Sequence, residues 1–250
     1  MAPMQKHGDT PTRARFIALQ EPVNFRDIGG LPIIGGGTTQ WGRVFRSDTL
    51  QDLGDVDVKT LRDDVGLSLI IDLRTSREIA TEGRGPLQDE AIDWINLPFI
   101  ADLEVTDEVP DAVERDVLAD YVHMLDTAGA VIAEAVDAVA SSSGAVVFHC
   151  AAGKDRTGIL ASLLESLAGV PRDVIVGDYE LTNQVIERVC ERLARFETYA
   201  NVRANPWTHF RCKPEVMEGF LDLLDERHGG AEGWAREMGV DVDRVRRRLT

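Results

Sequence analysis

The ten residues His149-Cys150-Ala151-Ala152-Gly153-Lys154-Asp155-Arg156-Thr157-Gly158 constrain this chain more than any other stretch. They follow Ala145-Val146-Val147-Phe148, a β-branched and aromatic run after a Ser/Gly break, which reads as a buried strand. A helix is expected from about Gly158 to Ala168, stopped by Gly169 and Pro171. The segment is therefore strand, short glycine-containing loop and helix, with five residues between Cys150 and Arg156. Such a loop gathers backbone N–H groups into one concavity at the positive end of a helix dipole, and an oxyanion fits there.

The side chains suit one reaction. Arg156 at the rim can hold two oxygens in a bidentate fork. Cys150 falls at the floor, and thiols beside a cation and a helix N-terminus ionise more readily than free cysteine. A thiolate facing a bound phosphoryl group is a nucleophile for its displacement. A nucleotide-binding P-loop is excluded, because Asp155 follows Lys154 and no glycine stands at the upstream position that motif needs. Cys190 and Cys212 read as small buried hydrophobes. Three cysteines with no CxxC pair indicate neither a disulfide framework nor a zinc site.

Around this segment, Leu69–Leu73 reads as a second buried strand and Ile92–Phe99 as an edge strand closed by Pro98. Gly35-Gly36-Gly37 marks a hairpin turn between two short strands. Helical periodicity runs through Val113, Val117, Tyr121 and Leu125, and again through Val131 to Val139. After Asp173 nearly everything is helical, ending in helices over Pro214–Arg227, Ala231–Met238 and Val242–Leu249. In the stretch after Val185, Arg188, Arg192 and Arg195 share a face opposite an apolar stripe. Strands alternating with helices predict an α/β layered domain.

The segment resembles the signature loop of cysteine-dependent protein tyrosine phosphatases, with an Ala-Gly-Lys variant similar to those acting on phosphoinositides as well. Asn24–Gly30, Arg43–Asp48, Ile71–Arg74 and Asp178–Asn183 resemble further blocks of the bacterial tyrosine/lipid phosphatase family. That resemblance covers residues 21–250. It implies a protein tyrosine phosphatase-like fold: a central, largely parallel sheet flanked by helices, a helical lid over 185–213 and a helical C-terminal part. It leaves residues 1–20 as a flexible leader.

By the same resemblance Cys150 attacks phosphorus, and Arg156 with the amides of Ala151, Ala152, Gly153, Lys154 and Asp155 binds the phosphate oxygens. Thr157 hydrogen-bonds the thiolate, and His149 supports the loop. Neither metal nor other cofactor is implied. The general acid implied is Asp72, with Asp102 and Asp155 as the other candidates. Lys154 stands where an inositol phosphate or phosphopeptide flank would meet it. Arg26, Asp27, Arg46 and Asp48 read as a polar network beneath the site. Substrates implied are phosphotyrosine, with phosphoserine/threonine and phosphoinositides beside it. A catalytically weak phosphate-binding module is the alternative.

Charge bears on partners. The net charge is −16, and residues 86–143 hold fourteen acidic residues against Arg115 alone. Such acidity disfavours nucleic-acid binding and adhesion to an anionic bilayer. The helical stretch 185–213 carries six basic and three acidic residues, so the acidic stretch is expected to turn away from the site. No signal-peptide-like or membrane-spanning run occurs, and the expected location is the cytoplasm or export without a cleavable signal.

Overall fold

The computed structural model describes residues 14–100 and 116–250. Strands β1 (Arg26–Asp27), β2 (Val44–Ser47), β3 (Leu67–Asp72), β4 (Asp93–Asn96) and β5 (Ala145–His149) form one sheet in the order β1-β2-β5-β3-β4. β1 runs antiparallel to β2, and every other pairing is parallel. His149 lies opposite both Ser47 and Asp72, so β2, β5 and β3 end at one edge. Loops leaving that edge begin side by side, which is where open α/β sheets place their ligands.

Helices α1 (Asp55–Lys59), α2 (Ser76–Glu82), α3 (Val117–Ser141), α4 (Asp155–Ala168), α5 (Arg172–Glu180), α6 (Ile186–Leu193), α7 (Ala200–Ala204), α8 (Pro214–His228), α9 (Ala231–Glu237) and α10 (Val242–Leu249) surround the sheet. β5 is apolar on both sides because both faces are covered. Val146 and Phe148 enter a large core with Ile132, Val136, Leu160 and Leu164, while Ala145 and Val147 enter a smaller one with Phe25, Phe45, Leu61 and Ile70. Nearly every side chain of α4 is buried, the polar Arg156, Ser162 and Glu165 along with the apolar ones. It ends where Gly169 takes the left-handed conformation at φ 84°.

The layered architecture follows the sequence pattern, and the elements differ from it in detail. The two periodic stretches merge into the single helix α3, started by Asp116, whose side chain accepts from Ala119 N at 3.1 Å. Val113 lies outside the described residues. α4 begins at Asp155, three residues before the glycine that the pattern marks, so Arg156 stands in its first turn. Among the described residues, no helix is long and apolar enough to cross a membrane.

The end of the expected leader is bound to the fold. Ile17 N donates to Phe25 O at 3.1 Å, and Phe16 bridges Arg26. Arg15 reaches Asp178 Oδ1 at 2.6 Å. Arg26 and Arg46 meet the same fully buried carboxylate, Arg46 Nη1 at 2.6 Å from Oδ2. Burial opposes the charged form of Asp178, but Arg26, Arg46 and Arg15 outweigh it and drive its pKa far below the usual carboxylate range. Arg26 itself is lowered to about 10 by burial and by Arg46.

Asp178→Asn strands three guanidinium groups, and a loss of about 3–5 kcal/mol is expected at pH 7. Because the folded pKa of Asp178 is depressed, its contribution is complete above the unfolded carboxylate pKa of about 3.9 and declines below it. Urea unfolding at pH 7, 5 and 3 should therefore show the gap between wild type and variant narrowing only at the lowest pH.

Candidate active site

Cys150 follows β5 directly, and its sulfur accepts a hydrogen bond from Thr157 Oγ1 at 3.2 Å. The loop between them is shaped from outside. Arg192 Nη2 donates to Ala151 O at 2.8 Å, Asn24 Nδ2 to Ala152 O at 3.2 Å, and Arg46 Nη2 to Gly153 O at 3.0 Å. In a planar trans peptide the N–H opposes the C=O, so drawing three carbonyls outward turns the N–H groups of Ala152, Gly153 and Lys154 inward. The first turn of α4 adds N–H groups that have no partner within the helix, and its dipole. Gly153 has φ +67°, and a Cβ there would lie 2.6 Å from Ser47 O and Asp48 N. Only glycine lets the loop approach the end of β2 this closely.

Arg156 is aimed by a carboxylate that the sequence reading did not identify. Glu78 Oε2 accepts from Arg156 Nη1 at 2.5 Å and Glu78 Oε1 from Nη2 at 2.8 Å. Burial opposes ionisation of Glu78, but Arg156 and the other donors outweigh it and hold its pKa at about 2. Glu78 is also the third-position residue of a capping box with Thr75 at the start of α2. The Thr75-x-x-Glu78 spacing was legible as that signature. Its reach to Arg156, which is 78 residues distant in the chain, was not. Tyr199 donates to Glu78 Oε1 at 2.7 Å.

A cavity of about 910 Å³ opens over the loop, and Cys150, Ala151, Ala152, Lys154, Asp155 and Arg156 line it together. Lys154 is buried rather than solvated, with Nζ 3.4 Å from Asp155 Oδ1. Asp155 Oδ1 also accepts from Tyr121 OH at 3.0 Å, and its side chain is 31% exposed. Asp120 stands on the cavity wall as well, so the acidic stretch does not turn wholly away.

Asp72 is not brought to the cavity. It is fully buried at the end of β3, where Arg74 Nε and Nη2 donate to its two oxygens at 3.0 and 2.8 Å. Burial opposes its charge, but the fields of His149 and Arg74 more than offset that and keep its pKa below the usual range. His149 lies behind the loop, with Nε2 3.7 Å from Asp72 Oδ2 and Nδ1 3.2 Å from Cys150 O. Burial lowers its pKa, against the raising field of Asp72. Asp102 lies outside the described residues.

The arginine face of α6 also differs from expectation. Arg192 is fully buried, with Nη1 2.5 Å from Asp48 Oδ2 and Nη2 donating to Ala151 O, while its Nε is left without a hydrogen-bond partner. Burial pushes the thiols of Cys190 and Cys212 up to about 11, so both stay protonated.

What this pocket can do is hold a tetrahedral oxyanion among loop amides and present sulfur to its centre, which is the work of a phosphatase. The chain belongs to the tyrosine phosphatase family, which it matches over residues 17–250. It is similar to the triple specificity protein phosphatase PtpB of Mycobacterium tuberculosis, with 29% identity over 90% of this chain and 94% of that protein. It is also similar to a tyrosine-protein phosphatase of Nostoc commune, with 30% identity over 80% of this chain and 70% of that protein. Among solved structures it is similar to the core catalytic domain of the PP-IP phosphatase SIW14 from S. cerevisiae in complex with citrate. The TM-score there is 0.40 at 17% identity, covering 71% of this chain and 94% of that one.

Gly153→Ala forces the loop away from β2, since only backbone atoms could give way. Binding of inorganic phosphate or vanadate, followed by calorimetry, is expected to weaken about ten-fold or more, equivalent to ~1.4 kcal/mol.

Proposed function

We propose that the chain hydrolyses phosphate monoesters, phosphotyrosine first among them, through a cysteinyl-phosphate intermediate. The observation that carries this reading is the shared cavity of Cys150, Asp155 and Arg156 over a loop whose carbonyls are turned outward. In the first step the Cys150 sulfur forms a bond to phosphorus as the ester P–O bond breaks, and the leaving oxygen takes a proton. In the second a water oxygen bonds to phosphorus, the S–P bond breaks, and the water gives its proton back to the same acid. The loop amides and Arg156 hold the equatorial oxygens while charge spreads over them. The hydroxyl of Thr157, already donating to sulfur, stabilises the departing thiolate.

We assign the proton to Asp155. It lines the cavity with its side chain partly exposed, whereas Asp72 is sealed and bound through both oxygens to Arg74. Lys154 on the cavity wall and the cavity's volume favour substrates larger than a phenyl phosphate. The triple specificity in the name of the M. tuberculosis relative supports the same breadth. A panel of phosphotyrosine, phosphoserine and phosphothreonine peptides beside phosphoinositides, ranked by kcat/KM, decides the order among them.

Metal-independent hydrolysis of an aryl phosphate is expected, and Cys150→Ser should abolish it. Tight phosphopeptide binding with no wild-type turnover would instead favour the binding module. Asp155→Asn should slow substrates with poor leaving groups by about 100-fold while sparing good ones. Asp72→Asn should lower the melting temperature and leave the leaving-group dependence unchanged. The opposite pattern returns the acid to Asp72.

A further inference from the structure

We propose that Tyr199 latches residues 197–210 over the cavity through Glu78, so that closure of the site and placement of Arg156 are one event. The proposal rests on the phosphatase reading only for what Arg156 does once placed. α6, at the base of this region, is fixed: Arg192 is fully buried between Asp48 and Ala151 O. Beyond Leu193 the chain consists of turns and the five-residue α7. Its apolar contacts belong to a small cluster with Ala151, Val189 and Leu193, separate from both main cores. Polar contacts inside it are local, with Arg203 pairing to Glu197 and Asn205 to Asn201 O.

Tyr199 reaches out of this segment. Its hydroxyl donates to Glu78 Oε1, the atom that also accepts from Arg156 Nη2, while Glu78 Oε2 accepts from Arg156 Nη1 and Thr75 N. One carboxylate thus ties together the cap of α2, the phosphate-binding arginine and the segment that covers the cavity. A phenol suits the post, because burial and the nearby Glu78 and Glu82 keep it protonated and so a donor. Tyr199 is therefore a positioning residue for Arg156. It is also one of the residues that line the cavity, so a bulky substrate enters only when the latch releases. A hydroxyl donating to a buried carboxylate biases such an open–closed equilibrium by about ten-fold or more.

Tyr199→Phe removes the donor and keeps the ring. Peptide-resolved hydrogen exchange should rise about ten-fold across 197–210, while α6 and α3 stay at wild-type rates. Alkylation of Cys150 by iodoacetamide should accelerate by a similar factor, and the concentration of inorganic phosphate that half-protects Cys150 should rise. Exchange that stays at wild-type rates across 197–210, or that rises equally in α6 and α3, overturns the latch. Faster alkylation with unchanged phosphate protection overturns its link to Arg156. None of these readouts needs turnover, so a chain that failed to hydrolyse aryl phosphates would still answer the question.

Discussion

Three carbonyl groups pointing outward are what the site depends on. The oxygens of Ala151, Ala152 and Gly153 are each held by a side chain from a different part of the molecule: Arg192 on α6, Asn24 ahead of β1, and Arg46 on β2. Those side chains are themselves held. Asp48 anchors Arg192, Asp178 anchors Arg46, and Arg26 Nη1 binds Asn24 Oδ1 at 2.5 Å. Release of any one carbonyl would let its peptide plane rotate and carry the following N–H out of the cradle. The loop is short, but its conformation is an outcome of the whole sheet edge and of two helices remote from it in the chain.

That arrangement resolves the apparent conflict between an acidic chain and an anionic substrate. The net charge of −16 describes the whole chain, whereas the loop at the cavity floor brings together Arg156, Lys154 and the N-terminus of α4. Fields inside a walled cavity are set by the nearest groups, because water and salt screen the rest. Asp120 on the cavity wall shows that the acidic stretch does not need to be absent for this to hold. It needs only to be outweighed at the loop itself.

The strand, loop and helix that carry Cys150 and Arg156 were legible because they are consecutive in the chain and each carries a local signal. The same locality explains the close match at α8, α9 and α10, whose caps and apolar periodicity lie within the elements themselves. Glu78, Tyr199 and Arg192 were not legible as site residues. Each acts across the chain, and each has a satisfactory local reading: a capping box, an aromatic in a turn, an arginine on a polar helix face. The surroundings of Asp72 were hidden for the converse reason. The end of a strand at the active edge is the right place for a catalytic acid, but Arg74, two residues on, folds back to take both oxygens. Sequence order shows that the pair exists, and only the packing shows that it is sealed.

The cost of this design falls on stability. Arg26, Arg46, Arg74, Arg192, Asp72 and Asp178 are all buried, and Glu165 sits among them with its pKa raised well above the usual carboxylate value by burial and by Asp178. Buried ion pairs seldom repay their desolvation better than apolar side chains of the same volume would. Apolar side chains could not, however, pull on a carbonyl. On the proposed function, dipoles arranged beforehand are what would let the loop stabilise a phosphoryl transition state without reorganising at the moment of reaction. The energy for that arrangement has to come from folding, which the two cores around β5 supply by burying most of the apolar side chains of the sheet. The large apolar investment in β5 and α4 is thus explained by the polar layer at the strand ends, and the two cannot be varied independently.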